Sequence, residues 1–297
     1  MATEAGGGPN KVRDWLNLTV DRFRNTGLHF GHGSSNARDE AAYLLLHTLN
    51  LPLHELDSVL DRPLTRDEIN ALEHIVRRRV DERIPAAYLT HEAWLGECRF
   101  YVDERTLVPR SYIAELLPER LHPWVVDEQT IASALDLCTG SGCLAILLAL
   151  AFPNARVDAT DLSADALSVA ETNIAEYDLR DRVHLTRGDL FAGLAGRYDL
   201  IVCNPPYVNQ KTMARLPPEY RAEPVMALAG GQDGLDFVRR VLEQARVHLT
   251  ERGLLIMEIG HNREALGKTF PRLPFIWLET SGGGDLVFLL GAEDLPL

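Results

Sequence analysis

The chain reads as an α/β fold: a helical amino-terminal region, then a mostly parallel, seven-stranded sheet with helices on both faces. Three observations lead there. Residues 12–83 carry helical apolar spacing and capping signals. From Ile131 onward, short apolar runs alternate with helical stretches, the pattern of strand–helix–strand units. The last two runs are separated only by Ser281-Gly282-Gly283-Gly284, too short for a crossover, so they must pair as a hairpin and add an antiparallel strand.

Taken in order, residues 12–28 place Trp15, Leu16, Val20 and Phe23 roughly on one helical face. After the loop Gly31-His32-Gly33-Ser34-Ser35, Asn36 is positioned to cap a helix over 37–49. Thr65-Arg66-Asp67-Glu68 has the form of a capping box, Thr65 as cap and Glu68 reaching back, and its helix runs to about Arg83 before Pro85 ends it. Arg77, Arg78 and Arg79 form a short charge run, read as a solvated helix face. Residues 94–108 alternate apolar and polar, as in a β-hairpin, and Pro109-Arg110-Ser111 opens a short helix. The strands beyond are expected at 134–138, 156–160, 182–186, 199–203, 254–259, 275–280 and 285–290. Helices are expected at 142–151, 164–177, 235–249 and 263–270.

Composition narrows the function classes. The 297 residues are 46% hydrophobic and 25% charged, as in a soluble globular protein. No apolar stretch reaches the ~18 residues of a membrane span; the longest, Cys143 to Phe152, is bounded by Gly142 and Pro153. The first ten residues are Ala/Gly-rich, are expected to be disordered and lack a signal-peptide pattern, so cytoplasmic residence is the expectation. Cys98, Cys138, Cys143 and Cys203 form no CxxC pair, and the ten histidines show no ligand spacing. Free thiols and no metal site are therefore expected. Net charge is -13, and residues 1–120 carry 15 basic and 19 acidic side chains. That balance argues against direct nucleic-acid binding and suits a basic protein partner.

Two motifs carry chemistry. Asp136-Leu137-Cys138-Thr139-Gly140-Ser141-Gly142 joins the first strand of the sheet region to its first helix, and Asp161 closes the second strand about twenty residues on, placed to accept ribose hydroxyls. Asp189, after the third strand, is placed for an adenine amino group. Gly140 through Ala145 also satisfies the GxGxxA form of the dinucleotide fingerprint, so a nicotinamide oxidoreductase and an S-adenosylmethionine (SAM) methyltransferase both remain open on this segment. Asp136 inside the strand end favours SAM, because a carboxylate there opposes a pyrophosphate but suits a sulfonium or ammonium group. The second motif is Asn204-Pro205-Pro206-Tyr207, directly after the apolar run 198–203. Two prolines force the chain out of the strand at the carboxyl edge of the sheet, where open α/β sheets bind ligands. An amide oxygen, a proline carbonyl and an aromatic ring make a clamp for a flat NH2 group; the plainer reading is a proline-rich turn with a capping Asn.

With the glycine turn, Asp161 and Asn204-Pro205-Pro206-Tyr207 in place, the chain resembles the HemK-like protein N5-glutamine methyltransferases, most closely the branch that modifies the third protein of the large ribosomal subunit. The stretches that carry this are Phe30-Gly31-His32-Gly33 with residues 36–41, Arg83-Ile84-Pro85-Ala86-Ala87-Tyr88-Leu89-Thr90, residues 100–111, and residues 136–143. Cys138 stands where the release-factor branch commonly has glycine, and Tyr112 where the ribosomal-protein branch often has proline. The resemblance implies a helical substrate-recognition domain over 11–92, a β-hairpin linker over 93–110, and a class I SAM-dependent methyltransferase domain over 111–297.

It further implies SAM held by Asp136, Cys138, Thr139, Gly140, Ser141, Gly142, Asp161, Asp189 and Asn204. The substrate glutamine is then held by Asn204, Pro205, Pro206 and Tyr207, of which Asn204, Pro205 and Tyr207 are the catalytic residues. The implied partner is a basic ribosomal protein, free or in an assembling ribosome. The readings set against this are a release-factor glutamine methyltransferase, an adenine-directed nucleic-acid methyltransferase and a non-catalytic ribosome-assembly factor. Phe100 and Arg110 are candidates for the site entrance by family analogy. Glu258, after an apolar strand, reads as a satisfied strand-end carboxylate. Glu223-Pro224 and Gly230-Gly231-Gln232-Asp233-Gly234 lie in a long loop suited to a lid or clamp.

Overall fold

A computed structural model describes residues 9–296. In chain order the elements are α1 (Val12–Asn25), α2 (Ala37–Thr48), α3 (Leu56–Val59), α4 (Arg66–Asp81), α5 (Ala86–Thr90), β1 (Ala93–Leu95), β2 (Cys98–Phe100), β3 (Ser133–Leu137), α6 (Cys143–Ala151), β4 (Arg156–Asp161), α7 (Ala164–Glu176), β5 (Val183–Arg187), β6 (Tyr198–Cys203), α8 (Gln210–Met213), α9 (Asp236–His248), β7 (Leu249–Glu258), α10 (Arg263–Thr269), β8 (Ile276–Thr280) and β9 (Gly283–Gly291). The expectation of disorder over residues 1–10 falls, for the first eight, outside the described residues. Residues 9 and 10 are tied down: the Pro9 carbonyl accepts the Trp15 indole N–H and the Asn10 carbonyl accepts the Leu64 amide.

The chain divides into two contact units. The first comprises residues up to Glu92 together with Pro217–Ala222; the second comprises Ala93–Leu216 and Glu223–Leu297. The six residues 217–222 thus depart from the expected partition: they follow Tyr207 in sequence but pack with the helices. The short hairpin, in contrast, packs with the sheet. Pairing in that hairpin covers only Ala93↔Phe100 to Leu95↔Cys98, shorter than expected. Beyond it, Asp103 turns the chain by accepting the Arg105 amide and guanidinium, which competes with any ladder.

In the first unit, Asn36 accepts the Arg38 and Asp39 amides, and Thr65 and Glu68 form the reciprocal capping box. Leu72, Val76 and Arg79 recur at helical spacing and are the buried face of α4. Reading all three arginines as solvated therefore fails at Arg79. Arg77 is exposed and Arg78 pairs with Glu82, but the turn of the helix carries Arg79 inside. There its Nε donates to Glu40 Oε1 (2.6 Å), its Nη2 donates to the His29 carbonyl (3.0 Å), and its Nη1 lies 3.7 Å from Glu219. Its guanidinium also lies over the rings of Phe23 and Phe30. Glu219, from the inserted six residues, accepts the His29 amide and Arg83 Nη1, both at 3.1 Å. Burial pushes the Glu40 carboxyl up, against the opposing pull of Arg79.

In the second unit the seven strands run in the order β5-β4-β3-β6-β7-β9-β8, parallel through β7, with β9 antiparallel to both β7 and β8. Strand alternation sorts side chains to two cores. Ala134, Leu200, Val202 and Ile256 face one side with the almost wholly apolar α6. Leu135, Ile201, Cys203, Leu255 and Met257 face the other, under Val238, Val241, Leu242 and Ala245 of α9. Each fully buried Leu, Ile or Phe contributes about 1.5–3 kcal/mol relative to exposure, so both faces are strongly specified. All four cysteines are free thiols, and among the described residues no helix is long and apolar enough to cross a membrane.

Truncating Arg79 would strand the Glu40 carboxyl in the helical core, while Glu219 keeps Arg83 and the His29 amide. Arg79→Ala is expected to lower the unfolding free energy by about 3–5 kcal/mol in urea titration. Arg78→Ala, which breaks an exposed pair, should cost less than about 0.5 kcal/mol.

Candidate active site

Strand pairing sets the site. β3 pairs with β6 in parallel, with Leu137 opposite Cys203, so the glycine turn after β3 and Asn204 after β6 leave the sheet side by side. A cavity of about 310 Å³ opens there, within the size range of small-molecule sites. Its walls include Cys138, Gly140, Asp161, Asp189, Asn204 and Pro206 from the two motifs and their acidic partners. Leu162, Leu190 and Phe237 add apolar wall. Asp136, Thr139, Ser141, Gly142, Pro205 and Tyr207 are not among the lining residues.

The turn is held by hydrogen bonds that explain its composition. Asp136 is fully buried; its Oδ2 accepts the Thr139 hydroxyl and the amide of Ala145 in the first turn of α6 (3.0 Å). Burial pushes its carboxyl up to about 7, against those two donors. Its Oδ1 is buried with no hydrogen-bond partner among the described residues. Cys138 sits at φ 58, in the left-handed region that costs a side-chain-bearing residue about 1–2 kcal/mol relative to glycine. Gly140, at φ 57, would direct a Cβ into open space, so the backbone lies bare to the cavity. Asn173, which sequence reading missed, clamps this region: its amide group donates to the Ser141 and Tyr101 carbonyls and its oxygen accepts the Tyr101 amide.

Asp161 accepts the Gly140 amide on Oδ2 and the Ser163 amide on Oδ1, both at 2.9 Å. Burial raises its carboxyl above the ordinary range. Each oxygen keeps a lone pair for a further donor. Asp189 accepts Arg240 Nη2 (2.8 Å).

The Asn204 side chain is left available. The Asn204 amide is half-buried, lines the cavity and makes no hydrogen bond among the described residues. No donor among them reaches the Pro205 carbonyl either. Tyr207 is locked differently. Asn262 donates to its carbonyl (2.9 Å), and a Cβ on Gly260 would lie 2.7 Å from its ring. Its hydroxyl donates to Glu258 Oε1 (3.0 Å). Burial and the adjacent carboxylate push the phenol well up, so the hydroxyl stays protonated and is the donor of this pair. Glu258 Oε2 accepts the Ser111 hydroxyl and the Tyr112 amide, each at 2.8 Å.

Phe100 is fully buried and stacks on Tyr177, a packing role. Arg110 grips Glu223 with two 2.6 Å bonds, and Glu223 also accepts the Val108 amide. The Glu223 contacts carried no spacing signal, because Val108 and Arg110 lie more than a hundred residues away along the chain.

The donor set fits SAM. Paired acidic acceptors, a bare glycine backbone, apolar walls and an orphaned buried carboxylate oxygen match a ribose, an adenine ring and a cationic tail. Comparison with known proteins agrees. A sequence model described as the methyltransferase small domain matches residues 116–216, and one described as the PrmC N-terminal domain matches residues 14–90. A ribosomal protein uL3 glutamine methyltransferase of Neisseria gonorrhoeae is 53% identical over 295 residues, covering 99% of each chain. One from Burkholderia pseudomallei is 55% identical over 293 residues, covering 96% of this chain and 95% of that protein. Among solved structures, the human Mettl16 catalytic domain in complex with an RNA hairpin matches with a TM-score of 0.50 at 16% identity. It covers 78% of this chain and 84% of that one, a likeness of fold alone. The chain is a SAM-dependent methyltransferase and belongs to the ribosomal protein uL3 glutamine methyltransferase family.

Proposed function

We propose that the chain methylates the side-chain amide nitrogen of a glutamine in ribosomal protein uL3. The observation that carries this is the Asn204 amide, half-buried and free of hydrogen bonds among the described residues, at the wall of the cavity that Gly140, Asp161 and Asp189 also line. The relatives' names supply the substrate. The net charge of -13 favours a basic protein partner, free or in an assembling ribosome, over nucleic acid.

A carboxamide nitrogen is a poor nucleophile because its lone pair is delocalised into the carbonyl. The Asn204 oxygen and the Pro205 carbonyl each accept one N–H of the substrate NH2. Both bonds strengthen as positive charge develops on nitrogen, so they favour the transition state over the ground state. The Tyr207 ring stacks on the planar amide and limits its rotation. SAM, when bound, supplies a methyl group already activated by its sulfonium. Asp161 accepts ribose hydroxyls while bracing Gly140, and Asp189 receives the adenine amino group. The nitrogen's surplus proton leaves to water.

Asn204→Ala is expected to reduce methyl transfer from radiolabelled SAM to uL3 by more than about 100-fold, the order found when a preorganised transition-state partner is lost. SAM affinity by calorimetry should stay within a few-fold; a variant that keeps turnover would remove Asn204 from this role. Asp161→Ala should weaken SAM binding by about 10- to 100-fold, since it deletes charge-assisted bonds to the ribose and to the turn. Asp161→Asn, which retains one acceptor oxygen, should lose less in the same titration.

A further inference from the structure

Glu258 is a fully buried carboxylate at the carboxyl end of a central strand. A buried ion is a weak device for stability, because an apolar side chain of similar size would avoid the desolvation cost. Its presence calls for another reason, and its contacts supply one. Oε2 is held from one side by the Ser111 hydroxyl and the Tyr112 amide. Oε1 is thereby aimed at a single further donor, the Tyr207 hydroxyl. Two supports on one oxygen fix the carboxylate plane, leaving the other oxygen as a rigid acceptor for the phenol.

Tyr207 is constrained at three points. Asn262 holds its carbonyl, Gly260 leaves room for one edge of its ring, and Glu258 holds the far tip. Without the last contact the ring can still pivot about the bond that joins it to the backbone. With it, both ends of the side chain are pinned, and a swing of the ring about the Cα–Cβ bond breaks a charge-assisted bond. Burial pushes the Glu258 carboxyl up, and the Ser111, Tyr207 and Tyr112 donors, with Arg110 beside the cluster, pull against that shift.

We propose that Glu258 is a positioning residue for methyl transfer: it holds the Tyr207 ring in the place from which that ring stacks on the substrate carboxamide. The inference rests on the reading of Tyr207 given under the proposed function. It adds a residue that touches neither substrate nor cofactor and acts only through the phenol. A slack ring would leave binding of SAM intact and slow the step that depends on the amide's orientation.

The test is a kinetic cycle on the full chain with uL3 and SAM, using Glu258→Gln, Tyr207→Phe and the double variant. The Gln side chain keeps the volume but replaces one acceptor oxygen with a donor. Each single variant should lower kcat by about 10- to 100-fold, the range expected when a reacting group is misplaced without being removed. KM for uL3 and the SAM dissociation constant should stay within about three-fold of wild type, and the midpoint of thermal unfolding should change little. The double variant should be no slower than the slower single, because both deletions break the same bond. A Glu258→Gln kcat within two-fold of wild type would overturn the proposal. So would a double variant that loses the product of the two single effects, or a loss that tracks SAM binding. If Glu258→Gln does not fold, Tyr207→Phe alone decides: wild-type turnover by that variant refutes the proposal. Failure of the wild-type chain to methylate uL3 would instead reject the underlying reading of the site, which keeps the two failures distinct.

Discussion

The parallel pairing of β3 with β6 is the constraint on which the site depends. Because Leu137 sits opposite Cys203, two loops about sixty-five residues apart in sequence leave the sheet at the same level. A slip of one residue would turn every side chain of one strand to the opposite face. It would put Leu200 and Val202 into the core meant for Ile201 and Cys203, and carry Asn204 off the cavity wall. The apolar patterning that builds the two cores therefore also aligns the chemistry. No loop residue needs to specify that alignment; the sheet has already done so.

Loops cannot lean on a ladder of regular hydrogen bonds, and in this molecule buried carboxylates take its place. Asp136 braces the glycine turn against α6, Glu223 ties the segment after Tyr207 to residues 108–110, and Glu258 joins Tyr207 to Ser111. Each acid gives up hydration and recovers it from backbone amides, hydroxyls or a bidentate arginine. An acid suits this duty because one group accepts several donors from different directions. The result is a set of irregular segments held with the definition of secondary structure, surrounding an amide left available for a ligand.

Much of this was legible in the sequence, for definite reasons. β3, β4, β5 and β6 fell within about one residue of their expected bounds, β3 and β6 because their buried runs are mostly apolar, and Asn36 and Thr65 marked their helix starts as capping chemistry requires. β7 begins at Leu249, five residues before the apolar run at 254, because Glu251 and Arg252 are exposed and disguise its first half. The hairpin shrank because alternation continued past the point where Asp103 captures the chain. The cavity draws together Cys138, Gly140, Asp161, Asp189, Asn204 and Pro206, all residues of the two motifs or their acidic followers. Glu258 proved the satisfied strand-end carboxylate it read as, but its partners, like those of Arg79, Asn173 and Glu223, were illegible because they are remote in sequence. Glu258 meets Ser111 across 147 positions, and no local spacing encodes such a meeting.

Residues 217–222 have an architectural consequence. The ribbon that returns from Tyr207 toward α9 spends six residues inside the helical core, where Glu219 accepts the His29 amide and Arg83 and sits beside Arg79. The sheet unit is thus not a severable module. Cutting the gene at residue 93 would release a hook bearing Glu219 with nothing to catch it, and the same stretch of chain would lose its moorings just downstream of Tyr207. Any attempt to trim this enzyme to its sheet, or to graft its helices onto another, must carry that hook with them.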